Sequence, residues 1–305
     1  MKDIRKLAFG YSTKCNVRCE HCVAAEKIPQ TSTMNLFKAK SIIHEMANAN
    51  VKGISFTAGE PLIFLSEIIE LIKICCKNNI YARVVTNGFW AKTCEVSDSI
   101  ILQLKNAGLS QLRISFSRWH QKNISRKNIL NASNSCKKKG INYFISFVTD
   151  FSKEDEEYEN FLRENNLKFF PEPVIFAGRA KTFNRHELYT DYQANCCPMN
   201  PYISPELDMY ACCDAGIHFT NTDFFHLGNL KNNTIDELFL KSETSSLYNH
   251  IRNMGITSLA SFAGFKSREI IKYRKCELCK LLFDSPKTLK FLEKASNTRL
   301  NEWYR

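Results

Sequence analysis

No run of 18 apolar residues occurs in this chain of 305, so no membrane-crossing helix is expected. The opening Met1-Lys2-Asp3-Ile4-Arg5-Lys6 lacks the apolar stretch of a secretory signal, which points to the cytoplasm. No internal repeat and no low-complexity segment stands out, which argues against a solenoid or a tail. Basic charge is not concentrated either. The net charge is +11, yet the one compact run is Lys137-Lys138-Lys139, so the charge reads as a solvated surface. Neither nucleic acid nor membrane is expected as a partner. Cysteine, by contrast, is abundant at 13 residues. Without a signal this argues against a disulfide scaffold and for metal or redox use in a reducing cytosol.

Three cysteines fall close together in Lys14-Cys15-Asn16-Val17-Arg18-Cys19-Glu20-His21-Cys22. Thiolates at short spacings hold iron–sulfur clusters. Three on one loop can hold three irons of a 4Fe–4S cluster and leave the fourth iron open for another ligand. Zinc is the rival, although its sites favour paired Cys-x2-Cys or Cys/His knuckles. A second motif, Thr57-Ala58-Gly59-Glu60-Pro61, directly follows the apolar Ile54-Ser55-Phe56. Gly59 allows close backbone approach, and Pro61 fixes the turn.

From residue 6 to about 176, strand-like and helix-like segments alternate. Strand candidates are 6–13, 53–57, 81–86, 111–116, 142–148 and 169–176, rich in Val, Ile, Phe and Tyr. Amphipathic segments lie near 37–49, 66–79, 97–107, 125–139 and 153–165, and Gly108 and Gly140 stop two of them. Six βα-type units predict parallel strands with right-handed crossovers, too few for a closed eight-stranded barrel. The chemistry is then expected at the C-terminal strand ends, where both motifs fall.

The three-Cys loop with Ala-Gly-Glu-Pro resembles the radical S-adenosylmethionine (radical SAM) superfamily, whose second motif reads Gly-Gly-Glu-Pro. The resemblance implies an α/β fold: a partial (β/α)6 TIM-type barrel over 1–180, with a small Cys-rich SPASM/twitch-like extension over 181–305. It implies that Cys15, Cys19 and Cys22 hold a SAM-binding 4Fe–4S cluster. SAM's amino and carboxylate groups chelate the open iron, and one-electron cleavage gives a 5′-deoxyadenosyl radical that takes hydrogen from carbon. Ala58, Gly59, Glu60 and Pro61 then face the SAM amino group. Ala58 is tolerated if its position needs a small residue rather than positive φ. Asn87, Ser115, Arg126 and Arg179 are further candidates for SAM contact. Arg179 lies in Gly178-Arg179-Ala180, which is similar to a Gly-Arg-Ala sequence common in these enzymes. His21 is expected to pack beside the cluster or adenine. His44 and His120 read as satisfied surface or helix histidines, and Cys75, Cys76, Cys94 and Cys136 as structural.

After residue 180 the cysteines resume at Cys196-Cys197, Cys212-Cys213 and Cys276-x2-Cys279, with His226-Leu227-Gly228-Asn229-Leu230 between them. This resembles the extension of peptide-modifying (RiPP) maturases, with Leu207 where that family's turn has Gly. The tail has too few cysteines for two full auxiliary clusters. One auxiliary 4Fe–4S cluster on Cys197, Cys212, Cys276 and Cys279 fits the resemblance, leaving Cys196 and Cys213. Which member of each doublet is the ligand stays open. A spare thiol near a radical site can donate hydrogen, as in radical SAM peptide epimerases, and Cys213 is the candidate catalytic donor. Residues 86–90 and 211–214 also look similar to that group. The expected function is Cα epimerisation of a peptide, with a flavodoxin or ferredoxin as electron donor. The alternatives are thioether or carbon–carbon cross-linking, dehydrogenation of a small substrate, or a non-enzymatic iron–sulfur sensor. No leading winged-helix module is expected.

Overall fold

The computed structural model describes residues 4–23, 31–183, 197–214 and 223–297. In chain order the first part runs β1 (Lys6–Gly10), α1 (Leu36–Asn48), β2 (Gly53–Thr57), α2 (Leu65–Lys77), β3 (Tyr81–Thr86), α3 (Cys94–Ala107) and β4 (Gln111–Phe116). It continues through α4 (Arg118–Gln121), α5 (Arg126–Lys139), β5 (Tyr143–Thr149), α6 (Glu156–Glu164) and β6 (Phe169–Pro173). The extension adds β7 (Tyr202–Ile203), β8 (Asp208–Tyr210), β9 (His226–Asn229), α7 (Ile235–Thr244), α8 (Ser246–Asn253) and α9 (Ile256–Phe262). Three more helices follow: α10 (Ser267–Ile270), α11 (Lys275–Asp284) and α12 (Pro286–Asn297).

β1 to β6 pair in sequence order and are all parallel, the arrangement of a partial TIM-type barrel. The sheet continues past β1. β7 pairs parallel to it, and β8 and β9 add antiparallel strands, giving among the described residues nine in the order β6-β5-β4-β3-β2-β1-β7-β8-β9. The extension therefore grows from the edge of the same sheet. Strand residues alternate because successive side chains take opposite faces. Leu112, Ile114 and Phe116 of β4 are fully buried against the helices, while Gln111, Arg113 and Ser115 turn to the other face.

Two expected strands end early. Residues 11–13 leave the ladder because they bond sideways: Thr13 N–H donates to Ser32 O at 2.9 Å, and Ser12 bridges Thr33. β6 stops at Pro173, and Val174 and Phe176 instead join Trp119 and Ala180 in a small separate core. Two helices are stopped as expected, with Gly108 and Gly140 left-handed at their ends. Helix α5 is polar yet buries Asn128 and Asn131. Their amides donate to the carbonyls of Gly88, Phe89 and Ala91 at 2.9–3.2 Å, so this helix fixes the loop after β3. Among the described residues no helix is long and apolar enough to cross a membrane.

Candidate active site

A cavity of about 330 Å³ opens at the C-terminal ends of the parallel strands. Cys15, Cys19 and Cys22 all line it, with Ala58, Gly59, Glu60, Asn87, Ser115 and Arg179. Pro61 does not; it is buried and begins the 3-10 turn Pro61–Phe64. Arg126 does not either. It starts α5, pairs with Glu157 at 2.7 Å and lies over the Tyr158 ring.

The cysteine loop is held by backbone groups. Glu60 N–H donates to Lys14 O at 2.8 Å. Gly59 has φ +55°, and a Cβ there would sit 2.2 Å from Lys14 O, so any side chain would push the loop away. Ala58 also has positive φ, +65°, so its position does use the conformation glycine favours. Burial pushes the Cys15 thiol up and the Cys19 thiol up to about 12, and the neighbouring thiols add repulsion. Such a group gains most from a bound cation that favours thiolate.

Glu60 is the buried acid of the site. Its carboxylate accepts from Leu62 N–H at 3.0 Å, Thr86 Oγ1 at 2.8 Å and Asn87 N–H at 2.6 Å. Burial nevertheless raises its pKa from 4.5 to about 7, with those bonds opposing the rise. Thr86 Oγ1 in turn accepts from Trp90 Nε1 at 3.0 Å and Gly88 N–H at 3.2 Å. Asn87 Nδ2 donates to Asn16 Oδ1 at 3.0 Å, tying the loop after β3 to the cysteine loop.

Three titratable lining residues were not among the expected site. Arg113 and Glu172 form an ion pair across β4 and β6, and Arg113 also donates to Ser146 at 2.9 Å. Their strand positions on the lumen side were the available signal. His120 is buried rather than superficial; its Nδ1 lies 2.8 Å from Ser117 Oγ, and its ring meets that of His21 at 4.5 Å. His21 also packs on Trp119 at 5.0 Å. Burial lowers the pKa of His21 to about 4 and that of His120 well below 6.5. Both rings are therefore neutral near pH 7.

The C-terminal cysteines form a second group. Cys197, Cys212, Cys276 and Cys279 pack partly buried against the apolar core of the extension. That core includes Phe225 against Phe283, with ring centroids at 4.7 Å. Burial pushes the thiols of Cys213, Cys276 and Cys279 well up, and the charges of Cys197 and Cys212 reach all three. Cys213 Sγ donates to Asp214 Oδ2 at 3.7 Å, and Asp214 N–H donates to Cys212 Sγ at 3.4 Å. Cys196 lies outside the described residues. The cavity is lined by residues between Thr13 and Arg179, so none of these thiols lines it. Among the described residues no three Cys, His, Asp or Glu side chains gather tightly enough to hold one metal ion. A 4Fe–4S cluster spreads its thiolates over separate irons. Three thiols on one loop, all lining one cavity, suit such a cluster.

Leu207 stands at φ +75° in the turn before β8, where the expected motif has glycine, and is 8% exposed. Its N–H donates to Ser204 O at 3.0 Å, and its carbonyl accepts from Leu230 N–H at 2.9 Å. Asp208, next to it, binds His226 Nε2 at 2.9 Å and Asn229 Nδ2 at 2.8 Å, joining β8 to β9.

Comparison with known proteins agrees with this geometry. YydG of Bacillus subtilis (strain 168), a protein named provisionally for peptide biosynthesis, is 26% identical over 71% of this chain and 71% of its own. A GTP 3′,8-cyclase of Clostridium botulinum (strain Hall) is 26% identical over 62% of this chain and 61% of its own. Among solved structures, anSMEcpe with bound AdoMet and the Cp18Cys peptide superposes with a TM-score of 0.62 at 14% identity, covering 98% of each chain. BtrN in complex with AdoMet and 2-DOIA gives 0.54 at 12% identity, covering 84% of this chain and 90% of that one. These structural likenesses concern the fold. The profile of the radical SAM superfamily matches residues 10–164, half of the chain, and the chain belongs to that superfamily, whose members work with a 4Fe–4S cluster and SAM.

Proposed function

We propose that this radical SAM enzyme acts on a ribosomally made peptide and inverts an L-residue at Cα. When bound, cluster and SAM supply a 5′-deoxyadenosyl radical able to take a hydrogen atom from carbon. The residues of the chain then have separate tasks. Cys15, Cys19 and Cys22 hold the SAM-binding cluster. Glu60, with Ala58 and Gly59 beside it, receives the SAM ammonium, and Asn87, Ser115 and Arg179 line the same cavity. Cys197, Cys212, Cys276 and Cys279 hold an auxiliary 4Fe–4S cluster.

The observation that carries the reading is the doublet Cys212-Cys213, which offers one thiol beyond the four of the proposed auxiliary cluster, outside the cavity lined by Cys15, Cys19 and Cys22. Cys213 is beside Cys212, close enough to feel the charges of Cys197 and Cys212, and its S–H is donated to Asp214. In the proposed step a Cα–H bond breaks and a C–H bond of 5′-deoxyadenosine forms. The Cys213 S–H bond then breaks and a new Cα–H forms on the opposite face. The thiyl left on Cys213 takes one electron from the flavodoxin or ferredoxin that also reduces the clusters, and one proton from solvent. Similarity to a relative named for peptide biosynthesis supports a peptide as substrate. Thioether or carbon–carbon cross-linking is the second peptide reading, since an auxiliary cluster with one open iron would favour direct ligation of the substrate. Similarity to GTP 3′,8-cyclases favours a small substrate as the third.

Reaction with a candidate peptide in deuterated water separates these. Epimerisation gives a D-residue carrying one solvent deuterium at Cα, and Cys213→Ala still cleaves SAM but yields no D-residue. A product lighter by two hydrogens contradicts the reading and supports cross-linking or dehydrogenation.

A further inference from the structure

The segment after β6 meets the end of the cysteine loop, whereas Gly59 meets its start. Gly178 has φ +58°, and a Cβ there would sit 2.5 Å from Cys22 O and 2.4 Å from Val23 O. Only a glycine lets the two backbones come this close. Arg179 then makes two bonds to the loop. Its N–H donates to Cys22 O at 3.1 Å, and its Nε donates to Cys19 O at 2.7 Å. Both acceptors belong to cysteines that line the cavity.

The segment itself is anchored. Val174, Phe176 and Ala180 form their small core with Trp119, and Phe183 stacks on the Trp119 ring at 5.3 Å. His21 of the cysteine loop packs on that same ring. At the other end, Arg274 Nη1, just before α11, donates to Val174 O at 3.0 Å. The two bonds of Arg179 thus come from a fixed support.

We propose that Gly178 and Arg179 clamp the backbone of the cysteine loop, so that Arg179 is a positioning residue for the ligands Cys19 and Cys22 before SAM binds. Groups that orient metal ligands from behind commonly set affinity and potential. The guanidinium also brings a permanent positive charge to Cys19, and nearby charge is one of the levers on a cluster's potential. This proposal rests on superfamily membership and not on the peptide or its inversion.

The test uses the full chain, reconstituted anaerobically, without SAM. The signal of the SAM-binding cluster is isolated by subtracting the electron paramagnetic resonance spectrum of a Cys15, Cys19, Cys22→Ala chain. Arg179→Gln should shorten the half-life of that cluster under EDTA by about 10-fold and make its reduction potential more negative. Arg179→Lys should restore the potential through its charge without fully restoring the half-life. Gly178→Ala should shorten the half-life while leaving the potential near wild type, since the arginine charge remains. If Arg179→Gln and Gly178→Ala both keep the wild-type half-life and potential without SAM, and only SAM affinity falls, the clamp is wrong and Arg179 is a SAM contact alone.

Discussion

Cys15, Cys19 and Cys22 come from one loop held by the backbones of two others, whereas Cys197, Cys212, Cys276 and Cys279 come from three elements gathered by an apolar core. The first group is fixed by close approach and directional bonds. Gly59 and Gly178 bracket the loop, and Glu60 and Arg179 donate to its carbonyls. The second group depends on the packing of Phe225, Tyr248, Leu278, Leu282 and Phe283. The first should therefore be sensitive to single atoms at the backbone, and the second to the stability of the extension as a whole.

The largest expected effect is at the first group. Replacing Cys15, Cys19 and Cys22 with Ala should abolish 5′-deoxyadenosine formation, and continued SAM cleavage would remove the basis of the comparison. Gly59→Ala should come next. The displaced loop should slow SAM cleavage by about 100-fold, as a misplacement of about 1 Å can. Single-turnover measurement of 5′-deoxyadenosine checks this.

These effects mirror what could be read in advance. The three-Cys loop and Glu60 stood out because each lies in a short motif that follows a strand-like segment. The barrel was legible from six alternations of apolar strand and amphipathic helix. The sheet's continuation through β7, β8 and β9 was not, since two- to four-residue strands carry little periodicity. Arg113, Glu172 and His120 were hidden because their roles depend on neighbours 33 to 59 residues away or on a buried ring pair. The clamp was half legible: Gly178-Arg179 stood out as a motif, but its contact with Cys19 is 160 residues distant.

A moderate effect is expected from pH. The folded chain keeps the Glu60 proton up to about 7, whereas the unfolded chain releases it near 4.5. Glu60 therefore lowers stability as pH rises through that window. A SAM ammonium beside it favours the carboxylate, so SAM affinity should rise as pH passes through about 7. In Glu60→Gln the affinity should be weaker and that rise absent. Calorimetric titration across this range checks the slope, and an unchanged slope in the variant would exclude Glu60.

The smallest effects separate Ala58 and Leu207, two of the non-glycine residues at positive φ, one beside each group. Ala58→Gly removes left-handed strain and little packing, so it should stabilise by about 1 kcal/mol. Leu207→Gly removes similar strain but also a buried side chain worth about 1.5–3 kcal/mol, so it should be neutral to destabilising. Denaturant midpoints compare the pair. Equal gains from both would mean that the extension's core does not depend on the packing of Leu207.

The most direct measurement is iron content after anaerobic reconstitution of three chains: wild type, Cys15, Cys19, Cys22→Ala, and Cys276, Cys279→Ala. Two separately built thiolate groups predict about eight irons in the first and about four in each variant. Saturation of the wild type at about four irons, all lost with Cys15, Cys19 and Cys22, would contradict the account.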